Sequence, residues 1–330
     1  MEKIRWGIIG CGDVTEVKSG PAFNKVDHSE LLAVMRRNAA KAEDYAKRHH
    51  VPKWYDDANA LINDPDINAI YVATPPSTHE EYAIAALRAG KPVYVEKPMT
   101  MNAASAARMT AIVKETNGKL VVAHYRRAQP LFQKIRQLID DKIIGEIRFA
   151  RLSLYKKSLT PAEMAVEKTA WRIDPAHAGG GLFHDLAPHQ LDLLYYFFGN
   201  VQKATGIATN QAGLYPADDI VTGTILFQNG VHFNGTWCFN VSAADEKDEC
   251  EIVGEKGTII FSFFEHHPIT VMADGSIEKY SFDRLQHVQQ PMIGNVVDYF
   301  LDKGSNPCSA EEGIEVMKLI DSFTAKIENV

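Results

Sequence analysis

Long apolar runs are missing from this 330-residue chain. No stretch approaches the ~20 consecutive apolar residues of a membrane-spanning helix, so no membrane partner is expected. An excess of basic charge is missing too. The 35 Lys and Arg stand against 42 Asp and Glu, a net charge of −7, so nothing in the balance draws the chain toward nucleic acid. Cysteine is scarce. Cys11, Cys238, Cys250 and Cys308 show no CxxC pairing, which argues against a disulfide framework and for a reducing, cytoplasmic setting. Met1 to Trp6 carry no secretory pattern. Internal repeats and low-complexity tracts are absent as well. The length suits two domains at about 100–200 residues each.

What is present falls into two grammars. Through residue 141, short apolar strands alternate with helices. Strands are expected at 3–9, 31–35, 67–73, 91–95 and 119–123, and helices at 39–49, 77–90, 102–117 and 130–141. Ser77 and Glu80 read as a capping box for the helix that stops at Gly90. Solid apolar strands between helices predict a parallel sheet covered on both faces. Past Gly145 the segments 147–157, 201–210, 219–228, 231–239, 248–254 and 257–264 are strand-like, several separated by Gly-containing turns. They predict an antiparallel sheet built from hairpins. A helix at 179–198 interrupts them, and helices at about 287–303 and 309–327 close the chain. The boundary is placed at residue 125, giving domains 1–125 and 126–330, with the C-terminus able to return to the first.

The first strand runs into Gly10-Cys11-Gly12-Asp13-Val14-Thr15. Glycines there permit a sharp turn and a close approach of backbone to a pyrophosphate. Thr15 stands where the dinucleotide fingerprint has its third glycine. An NAD-binding chain places an acid at the end of the second strand; this one has Met35-Arg36-Arg37-Asn38. Guanidinium groups pair with a 2′-phosphate, so NADP is favoured over NAD. Val95-Glu96-Lys97-Pro98 ends a parallel strand, at the sheet edge where open α/β folds bind ligands.

A second cluster lies at Gly179-Gly180-Gly181-Leu182-Phe183-His184-Asp185-Leu186-Ala187-Pro188-His189-Gln190-Leu191-Asp192. On a helix Asp185, His189 and Asp192 share a face. A histidine beside a carboxylate suits proton transfer near neutral pH. His184 turns off that face and is read as a helix-side or rim residue. Pro188 lacks the N–H that bonds the carbonyl of His184, so a kink is expected there. Leu182, Leu186, Leu193 and Phe197 form the stripe expected to dock the helix on the sheet. The acidic run 245–249 is read as a solvated hairpin loop. His266 and His267, adjacent on a strand, face opposite ways, and no zinc-like spacing supports them, so no metal is expected.

Glu96-Lys97-Pro98, the three glycines, Asp185 and His189, in this order behind a glycine-rich first turn, resemble the Gfo/Idh/MocA family of NAD(P)-dependent oxidoreductases. Trp171-Arg172 matches a recurrent pair of that family. The resemblance implies an N-terminal Rossmann domain with a doubly wound parallel sheet. It further implies a C-terminal α+β domain with a large open, mostly antiparallel sheet, often used for homodimer or homotetramer contacts. It assigns Lys97, Asp185 and His189 as the catalytic residues. It places Gly10, Cys11, Gly12, Asp13, Val14, Arg36, Arg37, Thr74, Pro75, Ser77, His79, Glu96, Lys97, Trp171 and Arg172 at the cofactor. Lys97, Tyr125, Arg126, Trp171, Arg172, Asp185 and His189 fall to the substrate, a sugar, inositol or similar cyclic polyol. Two other functions remain open for the same fold: an NAD-dependent glycoside hydrolase, and a non-catalytic NADP-binding sensor.

Overall fold

A computed structural model describes residues 2–325. The first part of the chain runs β1 (Ile4–Ile9), α1 (Asp13–Val17), β2 (Ser29–Met35), α2 (Ala39–Arg48), β3 (Lys53–Tyr55), α3 (Ala58–Ile62), β4 (Ala69–Val72), α4 (His79–Arg88), β5 (Val93–Val95), α5 (Ala103–Glu115), β6 (Leu120–Val122) and α6 (Pro130–Asp140). It continues as β7 (Ile147–Lys157), the short helices α7 (Pro161–Ala165), α8 (Glu167–Ala170) and α9 (Pro175–Ala178), then α10 (Gly181–Phe198), β8 (Val201–Thr209), β9 (Ile220–Phe227) and β10 (His232–Val241). It ends with β11 (Lys247–Gly254), β12 (Gly257–Phe261), β13 (Ile269–Ala273), β14 (Ser276–Tyr280), α11 (Gln290–Phe300) and α12 (Ala310–Thr324). The helix expected at 309–327 thus ends at 324, and its residues 326–327 lie outside the described ones.

Two compact units result. One comprises residues 1–128 with 285–317, the other 129–284 with 318–330. Residues 285–317 therefore pack with the first unit, the return toward the first domain that the sequence left open. The reason is apolar. Phe300 on α11 meets Trp6 on β1 at 5.6 Å between ring centroids, and a Cβ on Gly313 would lie 2.7 Å from Met99.

The first unit holds a six-stranded sheet in the order β3-β2-β1-β4-β5-β6, every pair parallel. β4 and β5 are buried along their whole length, as strands covered on both faces must be. The strand order reverses between β1 and β4, so ligands are expected at the carboxyl ends of these strands. β3 and α3 have no counterpart in the sequence reading; three and five residues are too few to show a period.

The second unit holds an eight-stranded sheet in the order β14-β13-β12-β11-β7-β10-β9-β8. Its pairs are antiparallel except β10 with β7, and the hairpin expectation fails on both sides of β7, which lies between β11 and β10. Burial alternates along β9 and β10, the mark of a sheet with one packed face. On that face Trp237 meets Phe183 of α10 and Phe323 of α12. Glycine lets α12 come close: a Cβ on Gly223 would lie 2.2 Å from the Phe323 ring. β13 and β14 were not anticipated.

α10 runs unbroken through Pro188. Its buried side is broader than the expected stripe. Phe183, Ala187, Leu191 and Leu194 are fully covered, whereas Leu182 and Leu186 are only half-buried. Among the described residues no helix is long and apolar enough to cross a membrane.

Candidate functional site

In the first unit the carboxyl edge of the parallel sheet gathers most of the expected residues. Gly10 leaves β1 with φ +96°, and its N–H and that of Cys11 both donate to the carbonyl of Met35 at the end of β2. A Cβ on Gly10 would lie 2.7 Å from Thr74 Cγ2 and 2.8 Å from Thr74 N. The glycine turn and the Thr74-Pro75 segment after β4 therefore touch directly. Gly12 differs: beyond it a Cβ would meet only the Gly10 carbonyl, at 3.9 Å. Open space over an extended glycine beside Asp13 and Val14 is the cradle that a phosphate needs. Thr15 is buried and its hydroxyl donates to the Gly12 carbonyl, closing the turn from below. Gly20 packs tight against this turn; a Cβ there would lie 2.2 Å from the Thr15 carbonyl oxygen and 2.3 Å from Tyr45 Oη. Cys11 is covered, and burial pushes its thiol up to about 11, so it stays protonated.

Arg36 and Arg37 follow β2, half-buried and exposed respectively, and Asn38 caps α2 by accepting from Lys41 N. Arg36 is close enough to Cys11 to act on its thiol electrostatically. Arg36 thus flanks the glycine turn.

Two residues expected at the cofactor have their side chains turned inward. His79 is fully buried, with Nδ1 at 3.0 Å from the Pro98 carbonyl and Nε2 at 2.7 Å from that of Thr74. Its ring is consumed in joining the loop after β4 to the loop after β5. Burial lowers its proton affinity while the two carbonyls raise it. Glu96 is also turned inward: Tyr71 Oη donates to Oε1 at 2.5 Å, Gln289 Nε2 donates to Oε1 at 2.6 Å, and Lys97 N donates to Oε2 at 3.1 Å. Ser77 is exposed and makes no capping box; α4 starts at His79, and Glu80 pairs with Arg108 instead.

Lys97 is half-buried beside that network. Tyr125 and Arg126 follow β6 at the same edge. Tyr125 is buried, and the Arg126 guanidinium lies 5.7 Å from its ring centroid. Arg127, next in the chain, is buried in an ion pair with Glu312 at 2.5 Å.

In the second unit the site forms around the start of α10. Gly181 takes φ +74° with Ala217 tight against it; a Cβ would lie 2.4 Å from that of Ala217. Arg172 Nε donates to Asp185 Oδ2 at 3.1 Å, and its guanidinium lies 4.6 Å from the Trp171 ring centroid. Trp171, Arg172 and Asp185 are therefore one cluster, made by the segment before the glycines folding back on the helix. His189 follows one turn later, buried, with the Phe264 ring edge-on at 5.9 Å. His184 is not a rim residue. It is buried against Gly180, where a Cβ would lie 2.1 Å from its ring, and burial pushes it down to about 4. Asp192 is buried.

Sequence reasoning missed the residues that reach these sites from afar. Gln289 and Tyr71 hold Glu96, and no local pattern marks either. Asp248 belongs to the acidic run read as a solvated loop, yet it lies on β11, buried. Its carboxylate accepts from the amides of Phe263, Phe264 and Glu265, which sets Phe264 beside His189. His266 and His267 lie in a loop rather than a strand, and His266 Nε2 meets the Phe282 carbonyl. Among the described residues no three His, Cys, Asp or Glu are arranged to hold a metal ion.

Comparison with known proteins decides the family. Residues 4–124 match the model of the oxidoreductase family with an NAD-binding Rossmann fold, and residues 132–260 match the GFO/IDH/MocA C-terminal domain.

The chain belongs to the Gfo/Idh/MocA family.

Oxidoreductase P35 of Formosa agariphila is 48% identical over 97% of this chain and 98% of its own length. A trans-1,2-dihydrobenzene-1,2-diol dehydrogenase of Bos taurus is 30% identical over 77% of this chain and 72% of its own. A solved levoglucosan dehydrogenase in complex with NADH shares the fold, with a TM-score of 0.85 at 21% identity, covering 97% of this chain and 96% of that one. This Gfo/Idh/MocA member is an NAD(P)-dependent dehydrogenase or reductase, and the glycine turn and open cradle at Gly12 fit a nicotinamide dinucleotide.

Proposed function

We propose that this Gfo/Idh/MocA enzyme transfers a hydride between NADP and a secondary alcohol or ketone of a sugar, inositol or similar cyclic polyol. The observation that carries the reading is Lys97 at the end of β5, on the sheet edge that also bears the glycine turn. A bound nicotinamide supplies or accepts the hydride. Lys97 hydrogen-bonds the reacting oxygen and stabilises the charge that develops there. His189 takes or returns the hydroxyl proton; an imidazole does so in both directions near neutral pH. Asp185, held by Arg172 over Trp171, presents its carboxylate to a neighbouring hydroxyl.

Arg36 and Arg37, with no acid between Met35 and Asn38, support NADP. The dihydrodiol dehydrogenase and levoglucosan dehydrogenase among the relatives support a ring alcohol. Four buried cysteines, none in a disulfide, suit a cytoplasmic enzyme. Two or four copies are proposed to join through the open face of the eight-stranded sheet, where Phe149 and Ile207 are exposed. The test is a screen of NADP⁺ and NAD⁺ reduction against inositols, pyranoses and anhydrosugars, on wild type, Lys97→Ala and His189→Ala. Each variant is expected to lose at least ~100-fold in turnover with cofactor affinity nearly intact. Unchanged turnover in both would sink the catalytic assignment.

A further inference from the structure

Glu96 is a carboxylate at the carboxyl edge of the parallel sheet, yet its side chain is turned into the protein interior. It is 5% exposed. Three donors converge on it: the Tyr71 hydroxyl, the Gln289 amide and the Lys97 backbone N–H. The Gln289 amide is oriented by Tyr94, whose hydroxyl donates to Gln289 Oε1 at 3.2 Å. Burial and the nearby carboxylate raise both tyrosines well above their ordinary range, so they remain neutral donors. All three hydrogen bonds are donated to the carboxylate oxygens, which accept them.

The network is long-range by construction. Gln289 N donates to the Lys18 carbonyl and His287 Nδ1 meets that of Val17, so the segment before α11 is stitched to the end of α1. That segment carries Gln289 to Glu96. A fold that needed only to fill this space has cheaper solutions, because a buried charge costs several kcal/mol unless it is well bonded. The exposed or half-buried charges of the same edge include the cations Lys97, Arg36 and Arg126, and the acid Asp13 at the glycine turn.

We infer that Glu96 is an electrostatic element that sets this enzyme's preference between the oxidised and the reduced cofactor. The inference rests on the cofactor reading above. A nicotinamide ring is cationic when oxidised and neutral when reduced. Alcohol oxidation moves one hydride to that ring and releases one proton, so the ring's charge falls by one. A fixed negative charge one residue from Lys97 favours the cationic ring and offsets the lysine. Glu96 therefore acts through its charge, without contact.

The experiment measures dissociation constants of NADP⁺ and NADPH separately, by calorimetry or fluorescence, on wild type, Glu96→Gln and Glu96→Asp. Glu96→Gln is expected to raise the ratio Kd(oxidised)/Kd(reduced) about tenfold, the order of effect of removing a unit charge from a partly buried site. Glu96→Asp keeps the charge and should keep the wild-type ratio, even where both constants worsen. A purely structural role would weaken both forms equally and leave the ratio unmoved in Glu96→Gln, which overturns the inference. Should Glu96→Gln fail to fold, Glu96→Ala, whose space a water can fill, is read by the same ratio. If neither form binds the wild type, the cofactor reading itself has failed instead.

Discussion

Two glycines two residues apart should fail in opposite ways when each is given a methyl group. Gly10 adopts φ +96°, a region that costs an L-residue about 1–2 kcal/mol. Its new Cβ would also meet Thr74 N at 2.8 Å and the Ala73 carbonyl carbon at 2.9 Å. These are backbone atoms of β4's end and cannot swing aside, so overpacking adds roughly 1–3 kcal/mol. Gly10→Ala should therefore destabilise the first unit by roughly 2–5 kcal/mol, a fall in Tm of about 5–15 °C. Gly12 is extended, at φ −136°, and its Cβ would enter open space. There the small loss of an N-cap glycine and the gain from a stiffer unfolded chain nearly cancel, leaving stability within about 0.5 kcal/mol. The space is not idle if it receives the pyrophosphate. A methyl group there should raise the NADP⁺ dissociation constant at least ~30-fold, about 2 kcal/mol, with Tm unchanged. Thermal unfolding and fluorescence titration on the same samples separate the two effects. Wild-type cofactor affinity in Gly12→Ala would refute the cradle; unchanged stability in Gly10→Ala would refute the strain argument.

Two further outcomes are expected. Arg36→Asp should exchange NADP for NAD preference, read as the ratio of kcat/KM with the two cofactors; a ratio equal to wild type would remove the 2′-phosphate role from that position. His184 should make stability pH-dependent. Its folded pKa of about 4 lies below the ordinary histidine value, so above pH 6.5 it contributes nothing. As pH falls from 6.5 to 5 the unfolded chain takes the proton and the folded one does not. Stability then drops by about 2 kcal/mol from this group, and urea unfolding of His184→Gln should show a correspondingly flatter profile.

The first domain was legible because its information is local. A solid apolar strand, a glycine turn and a helix recur at short range, and the edge on which Lys97, Thr74 and Arg36 emerge follows from parallel connectivity alone. The Asp185–His189 spacing was legible for the same reason, being a single turn of α10. Errors arose where the partner is distant. His79 and Glu96 sit at the right edge with the right chemistry, and only packing reveals that their polar atoms are spent inside. Asp248 looked like one more charge in an acidic loop until β11 paired with β7 and β12 and turned it inward.

The order of the residues thus determined by itself the alternation of strand and helix, the glycine turn after β1 and the one-turn spacing of Asp185 and His189 on α10, each written within a few residues. Tertiary structure alone decided which stretch returns to the first unit, residues 285–317, and that it brings Gln289 to Glu96. It also decided that Arg172 folds back to Asp185 and that His184 is buried against Gly180. Those choices depend on shape and burial among residues far apart in the chain, and periodicity and spacing carry no record of them.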